Sequence, residues 1–369
     1  MIEEHVENTL KLIKKPFKHL YKPQLQGLAE SIVSFFYNHN RFSIREIASH
    51  LLGDTNVKHK TKRFINFLDN LDIDIDFWKS VVILIFTLPN FKLNLRKHIT
   101  ILVDATTLKD DVWILSACIS YQGRSIPIFM KTWKYPNKSY DCWKRVDIFL
   151  KELREILPPS RTFVIVADRG LQGIEMYLIL KKYTFDYIIR LNENYYVREE
   201  GDGKYIDLSL FDAGFYLEIE LSKKSNMNTN LAISTLKKEE SGNKKLYVMT
   251  SLKEEDAPIE EYARRMWIEE TFRDLKSELG WEKYTKKIPQ KERLEKCTII
   301  SSISYAIQIC IGSKIAIPKS EEQKTSVLRR FKNAFIAQYR TISSVYKKVI
   351  TSFYVGIYRN MFVFSNIKG

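Results

Sequence analysis

Up to about residue 98 the apolar positions recur at helical intervals, so the first stretch of the chain reads as a set of helices. Within it, RFSIREIASHLLGDTNVKHKTKRFINFLDN passes from one apolar-periodic segment, ending before Gly53 and Asp54, to a second that begins near Val57. The second carries Lys58, Lys60, Lys62 and Arg63, and helix, short glycine-containing turn, basic helix is the outline of a helix-turn-helix. Many helical hairpins bind nothing, so the outline leaves DNA contact and plain packing both open. DIDID at 72–76 precedes the apolar stretch FWKSVVILIF, which places it at the start of a helix, where acidic residues favour the dipole; a metal cluster is the other reading.

The pattern then changes to strands. HITILVDATTL holds an apolar run from Ile99 to Val103 that reaches Asp104, and WILSACISY and IPIFMKTW follow as hairpin partners. An amphipathic helix over NKSYDCWKRVDIFLKELREIL ends before Pro158 and Pro159; TFVIVADRGLQG is a second buried strand, ended by Asp168. A helix, IEMYLILKKY, and a strand, DYIIRLN, complete the run. This order predicts a mixed sheet in which crossover connections make the first and fourth strands parallel neighbours. Two such strands ending in aspartate would set the carboxylates side by side at the C-terminal edge, where open α/β sheets bind ligands. Either aspartate alone is ordinary, since aspartate often closes a turn.

Residues 191–250 alternate as strands separated by GDG and SGN, and read as a separate β-rich insertion. The next segment, EEYARRMWIEETFRDLKSELGW at 260–281, is predicted as one helix. At 100° per residue, Tyr262, Arg265, Glu269 and Lys276 fall near about 0°, 300°, 340° and 320°. That stripe lies beside an apolar one of Ile268, Phe272, Leu275 and Leu279. A solvated face with an Arg265–Glu269 pair and the wall of a binding site both fit the stripe.

Composition narrows the chemistry. The chain has 59 Lys and Arg against 44 Asp and Glu, net +15 with pI near 9.4, which favours a polyanionic partner. The excess sits at the two ends, residues 1–98 and 318–369. All six histidines lie at or before residue 98, so a serine or cysteine triad within 99–369 is excluded, and oxygen-only ligation there selects Mg²⁺ or Mn²⁺. Cys118, Cys142, Cys297 and Cys310 have no CxxC spacing, which suits a reducing compartment, and no signal peptide is visible. The apolar run from Cys297 to Ile317 contains serines, Gln308 and Lys314, and is expected to be a buried helix rather than a membrane span. A cytoplasmic protein with no membrane partner is the expectation. The C-terminal stretch interleaves Arg329, Arg330, Lys332, Arg340, Lys347 and Lys348 with aromatics; contact with DNA, contact with a second protomer, and packing on the core all fit it.

The aspartates in VDATTL and VADRGLQG, followed by Tyr262-x2-Arg265-x3-Glu269-x6-Lys276, resemble the DDE transposases of bacterial insertion sequences that carry the Tyr-Arg-Glu-Lys motif, the insertion-sequence-four family. The resemblance runs from Asp104 to Lys276. It implies an α/β, RNase H-like mixed-sheet catalytic core interrupted by a β-rich insertion, with helical N-terminal and C-terminal regions. The corresponding divisions are a helical, DNA-binding region at 1–98, the first part of the core at 99–190, the insertion at 191–250, the second part with the Glu-bearing helix at 251–317, and a basic helical region at 318–369.

By the same resemblance Asp104, Asp168 and Glu269 are catalytic and hold two divalent cations, Mg²⁺ or Mn²⁺, about 4 Å apart. Tyr262, Arg265 and Lys276, with Arg169, hold DNA phosphates. The implied partners are double-stranded DNA with terminal inverted repeats, target DNA, and a second copy of the chain in a synaptic dimer. The implied reaction is cleavage at the element's ends and joining to target DNA, in many relatives through a hairpin. Relatives that form hairpins can use a tryptophan of the insertion to receive a flipped base, whereas 191–250 holds none, only aromatics such as Tyr195, Tyr196, Phe215, Tyr216 and Tyr247. A metal-dependent nuclease of the same fold without strand transfer, and a non-enzymatic DNA-binding repressor, are the rival readings.

Overall fold

The computed structural model describes residues 2–37, 42–88, 97–109, 111–121, 123–135, 139–198, 203–221, 227–236, 244–284 and 291–313. The basic C-terminal region lies outside the described residues, and so do all six of its named cations. The N-terminal helices are α1 (Ile2–Ile13), α2 (Lys22–Tyr37), α3 (Ile44–Ser49), α4 (Val57–Asn70) and α5 (Ile75–Phe86). Their starts have chemical causes. The side chains of Ser43, Asn56 and Asp74 accept from the backbone N–H of Glu46, His59 and Phe77, capping α3, α4 and α5. The DIDID segment is therefore a helix start, with Asp74 Oδ1 2.8 Å from the Phe77 N–H.

Strand β1 (Ile99–Leu108), β2 (Val112–Tyr121) and β3 (Arg124–Lys134) form a meander, followed by α6 (Ser139–Ile156), β4 (Phe163–Ala167), α7 (Ile174–Lys182) and β5 (Asp186–Arg190). The crossover through α6 makes β4 parallel to β1, and β5 is parallel to β4. Strand β4 is buried along its whole length, as a strand flanked on both edges and both faces must be.

The insertion supplies β6 (Tyr196–Arg198), β7 (Ile206–Asp207), β8 (Gly214–Leu221), β9 (Met227–Leu236) and β10 (Lys244–Thr250). It is not a separate piece. Strand β10 pairs antiparallel with β5, so all the strands form one 10-stranded sheet in the order β3-β2-β1-β4-β5-β10-β9-β8-β6-β7. Sequence patterning finds strands but not their edge partners, which is why this continuity was not visible in it.

The chain then forms α8 (Pro258–Ala263), α9 (Met266–Ser277) and α10 (Lys291–Gly312). Helix α10 is buried almost all round and wedged between the bundle and the sheet. Ser304 Oγ donates to Ile32 O at 2.9 Å, Arg293 forks onto Asp69 with two bonds of 2.6 Å, and Lys296 Nζ donates to Leu68 O at 2.7 Å. This helix is long and apolar enough to cross a membrane, but its place is the protein core. The core itself is continuous from Val6 through the sheet to Ile311. The division at residue 98 therefore marks a change of secondary structure, not a gap in packing. The mixed α/β architecture is an RNase H-like core with a β-rich insertion.

Candidate metal and DNA site

The register of β1 on β4 builds the site. Val103 lies opposite Ala167, so the next residue of each strand, Asp104 and Asp168, emerges at the same edge. The two chains then part. Strand β4 ends and Asp168 opens a short turn of 3-10 helix at Arg169–Leu171, whereas β1 continues to Leu108 because β2 still pairs with it, Asp104 facing Ser116. Asp104 is thus within a strand and not at its end, a correction to the sequence reading. Its Oδ1 accepts from the Ala105 N–H at 2.7 Å.

The third acid arrives on a helix that is broken where one helix was predicted. Helix α8 follows Ala257, held in the left-handed region at φ 50°, and begins with Pro258. A left-handed non-glycine residue costs about 1–2 kcal/mol, which the packing of α8 must offset. Thr100 Oγ1 donates to Glu261 Oε2 at 2.6 Å, tying α8 to β1. Between α8 and α9 the backbone bonds tighten to i→i−3: Arg264 N to Glu261 O, Arg265 N to Tyr262 O, Trp267 N to Arg264 O and Ile268 N to Arg265 O. No proline or glycine marks this junction, so the regular 100° step had no visible reason to fail there.

Two side chains of the segment reach the acids. Tyr262 OH donates to Asp168 Oδ1 at 3.3 Å. Arg265 bridges the other two acids, Nη1 to Asp104 Oδ2 at 3.3 Å and Nη2 to Glu269 Oε1 at 2.5 Å. Its guanidinium lies 6.0 Å from the centre of the Tyr262 ring and is almost fully buried, with Nε lacking a hydrogen-bond partner among the described residues. Burial pushes the Asp104 carboxyl up to about 6; the Ala105 N–H and Arg265 hold it down, while Asp168 and Glu269 push it further up. Burial and the nearby Asp168 raise the Tyr262 phenol as well, so it stays a neutral donor.

The described structure thus brings together Asp104, Asp168, Glu269, Tyr262 and Arg265. Lys276 lies two turns further along α9, about 10 Å from Glu269 by helix rise, and has no carboxylate partner among the described residues. Arg169 is exposed on the turn beside Asp168. Lys58, Lys60, Lys62 and Arg63 sit on α4, apart from the acid cluster. Lys58 and Lys62 are exposed, but Arg63 has an internal role: Nη2 reaches Glu30 Oε2 at 2.8 Å and Leu52 O at 2.7 Å, joining α4 to α2. Of the insertion's aromatics, Tyr247 is buried, Tyr216 packs edge-on against Phe211, and Tyr196 is exposed.

Two groups escaped the sequence reading. Arg190, the last residue of β5, places Nη1 3.9 Å from Asp168 Oδ1; the strand-end argument used for β1 and β4 would have found it at β5. The other is a buried network beneath α9. Arg124 Nε donates to Asp274 Oδ2 at 2.9 Å and Tyr305 OH to the same oxygen at 3.2 Å. Thr271 Oγ1 donates to Ser125 O at 2.8 Å and accepts from Ser125 N at 3.0 Å. These bonds fix the helix bearing Glu269 to the start of β3. Arg124 and Ser125 lie about 150 residues from their partners on α9, and no local spacing betrays those pairs.

Residues 96–303 match the family profile described as the transposase DDE domain, over more than half of the chain. No curated protein matches the sequence.

Proposed function

The chain belongs to the transposase DDE-domain family, and from that premise we propose that it is a DNA transposase of the insertion-sequence-four type, which cuts at the ends of its own element and joins them to target DNA. The observation that carries the reading is the convergence of Asp104 and Asp168, side by side through the β1–β4 register, with Glu269, brought to them by Arg265. By chemistry the donors suit a hard divalent cation, three carboxylates with no nitrogen or sulfur ligand beside them among the described residues; with the Arg265 guanidinium bonded to two of them, the three do not stand as a ready-made metal cage. Asp104, Asp168 and Glu269 would hold the ions. Two cations, Mg²⁺ or Mn²⁺, supply an activated hydroxyl and a stabilised leaving oxygen when bound.

The other residues of the site act on the substrate. Tyr262, neutral, buried and hydrogen-bonded to Asp168, fixes that carboxylate from within the core, so its part in holding the strand is indirect. Lys276 and exposed Arg169 extend positive charge to either side of the acids, positioning phosphates without reading bases. Lys58, Lys60 and Lys62 on α4 form the outlying contact with the duplex, and a second copy of the chain completes a synaptic dimer.

The test is incubation of the purified protein with DNA bearing the repeats that flank its gene, with Mg²⁺ or Mn²⁺, and resolution of nicks, hairpins and joined strands. Joined products are expected, and Asp104→Ala, Asp168→Ala and Glu269→Ala should each abolish them. Cleavage without joining would reassign the protein as a nuclease. Binding to the repeats without cleavage would leave only a repressor.

A further inference from the structure

The arrangement around Arg265 goes beyond a phosphate contact. A guanidinium reaching for DNA would be expected at the surface, yet this one is 6% exposed. Its two terminal nitrogens are engaged by Asp104 Oδ2 and Glu269 Oε1, so the fork lies between two of the carboxylates proposed to hold the ions. A divalent ion such as Mg²⁺ needs carboxylate oxygen at about 2.0–2.1 Å in near-octahedral geometry. A guanidinium seated between the two carboxylates and a dication bridging them compete for the same place and the same negative charge.

We propose that Arg265 is a resident counter-cation, which holds Asp104 and Glu269 together before metal arrives and is exchanged for it. The inference rests on the reading of the three acids as a metal site.

Charge supports exchange over a permanent clamp. Three carboxylates face Arg265 and, more remotely, Arg190 3.9 Å from Asp168. With both arginines in place the three carboxylates keep a net charge of only −1 and attract two dications weakly; release of Arg265 takes the cluster to −2. Hydrogen bonding points the same way. Arg265 Nε is buried without a partner among the described residues, an unfavourable state that is relieved when the side chain swings outward. A guanidinium built only to brace the fold would have its donors satisfied. The way out is short: the neighbouring Met266, whose Sδ lies 3.7 Å from Nη2, is 52% exposed. Once displaced, Arg265 stands beside the acids with its fork free for a phosphate of the strand being cut. Loading of metal and grip on DNA then become one linked event.

The experiment is titration of the full-length protein with Mn²⁺ in the absence of DNA, reading bound ion by calorimetry and by the spin resonance of free Mn²⁺. Arg265→Gln should bind Mn²⁺ about tenfold more tightly than wild type, because the competing cation is gone. Arg265→Lys, which keeps the charge but loses the fork, should fall between the two and serves if the glutamine variant does not fold. Unchanged or weaker Mn²⁺ affinity in a variant with native circular dichroism would overturn the exchange and leave Arg265 a structural brace. Absence of Mn²⁺ binding to wild type would instead overturn the metal-site reading, and the exchange with it. Asp104→Asn and Glu269→Gln, each losing affinity, would locate the ion that is measured.

Discussion

Replacing Asp104 by asparagine should make the metal-free protein more stable while destroying its activity. Asp104 has its carboxyl raised from the usual 3.8 to about 6, chiefly by burial. A carboxyl with a raised folded pKa favours folding only while protonated. Its stabilising contribution is complete below pH 3.8 and is lost as pH rises through 6. At 1.36 kcal/mol per pKa unit the cost at neutral pH is about 3 kcal/mol. The side chain keeps 27% of its exposure, so solvent screening brings the expected value to about 1–3 kcal/mol. Asparagine keeps an Oδ1 for the Ala105 N–H and carries no charge to desolvate. Urea denaturation in the presence of a chelator should therefore show Asp104→Asn more stable than wild type at pH 7.5, with about a third of that gain left at pH 4.5. A variant no more stable at pH 7.5, or equally stabilised at both pH values, would refute the burial argument.

Asp274→Ala should cost about 3 kcal/mol, because it leaves the Arg124 guanidinium without its closest acid beneath α9; in chemical denaturation, restoring the carboxylate as glutamate should recover part of the loss. His5 is buried and its imidazole is held down from 6.5 to about 4, first by burial, so it folds neutral. Stability should fall by up to about 3 kcal/mol as pH drops from 6.5 to 4, and His5→Gln should flatten that limb of a pH–stability profile. Lys58→Glu and Lys62→Glu should weaken binding to any duplex and lower the slope of log affinity against log salt by about 1 each, measured by fluorescence anisotropy; an unchanged slope would remove α4 from the interface.

What could be read from the sequence was set by the range of each interaction. The β1–β4 neighbourhood was legible because a crossover helix between two buried strands permits few alternatives. Asp74 as a helix cap was legible because capping is local. The continuation of β1 past Asp104 was not, since it depends on how far β2 follows, and the identity of the turn residues says little about that. The break between α8 and α9 had no glycine or proline to announce it; the tightened turn accompanies the contacts of Arg265 with two acids, one distant from it in sequence and one on the next turn. Arg63 counted as a surface cation by type, yet its partner Glu30 lies 33 residues away on another helix. Distant pairings of this kind, like Arg124 with Asp274, are products of the fold.

Helix α10 has a bearing on how the protein is made. It is the last described element, and it fills the space between the bundle and the sheet, bonding back to Ile32 and Asp69. The nascent chain therefore lacks its central pillar until Gly312 has cleared the ribosome, with much of the apolar surface of α2 and β3 uncovered until then. A ribosome that stalls or a frame that shifts before that point releases a polypeptide containing Asp104, Asp168 and Glu269 but no stable scaffold to hold them together. Such a fragment exposes the apolar faces of α2 and β3 that α10 covers in the longer chain, the kind of surface that chaperones and proteases act on.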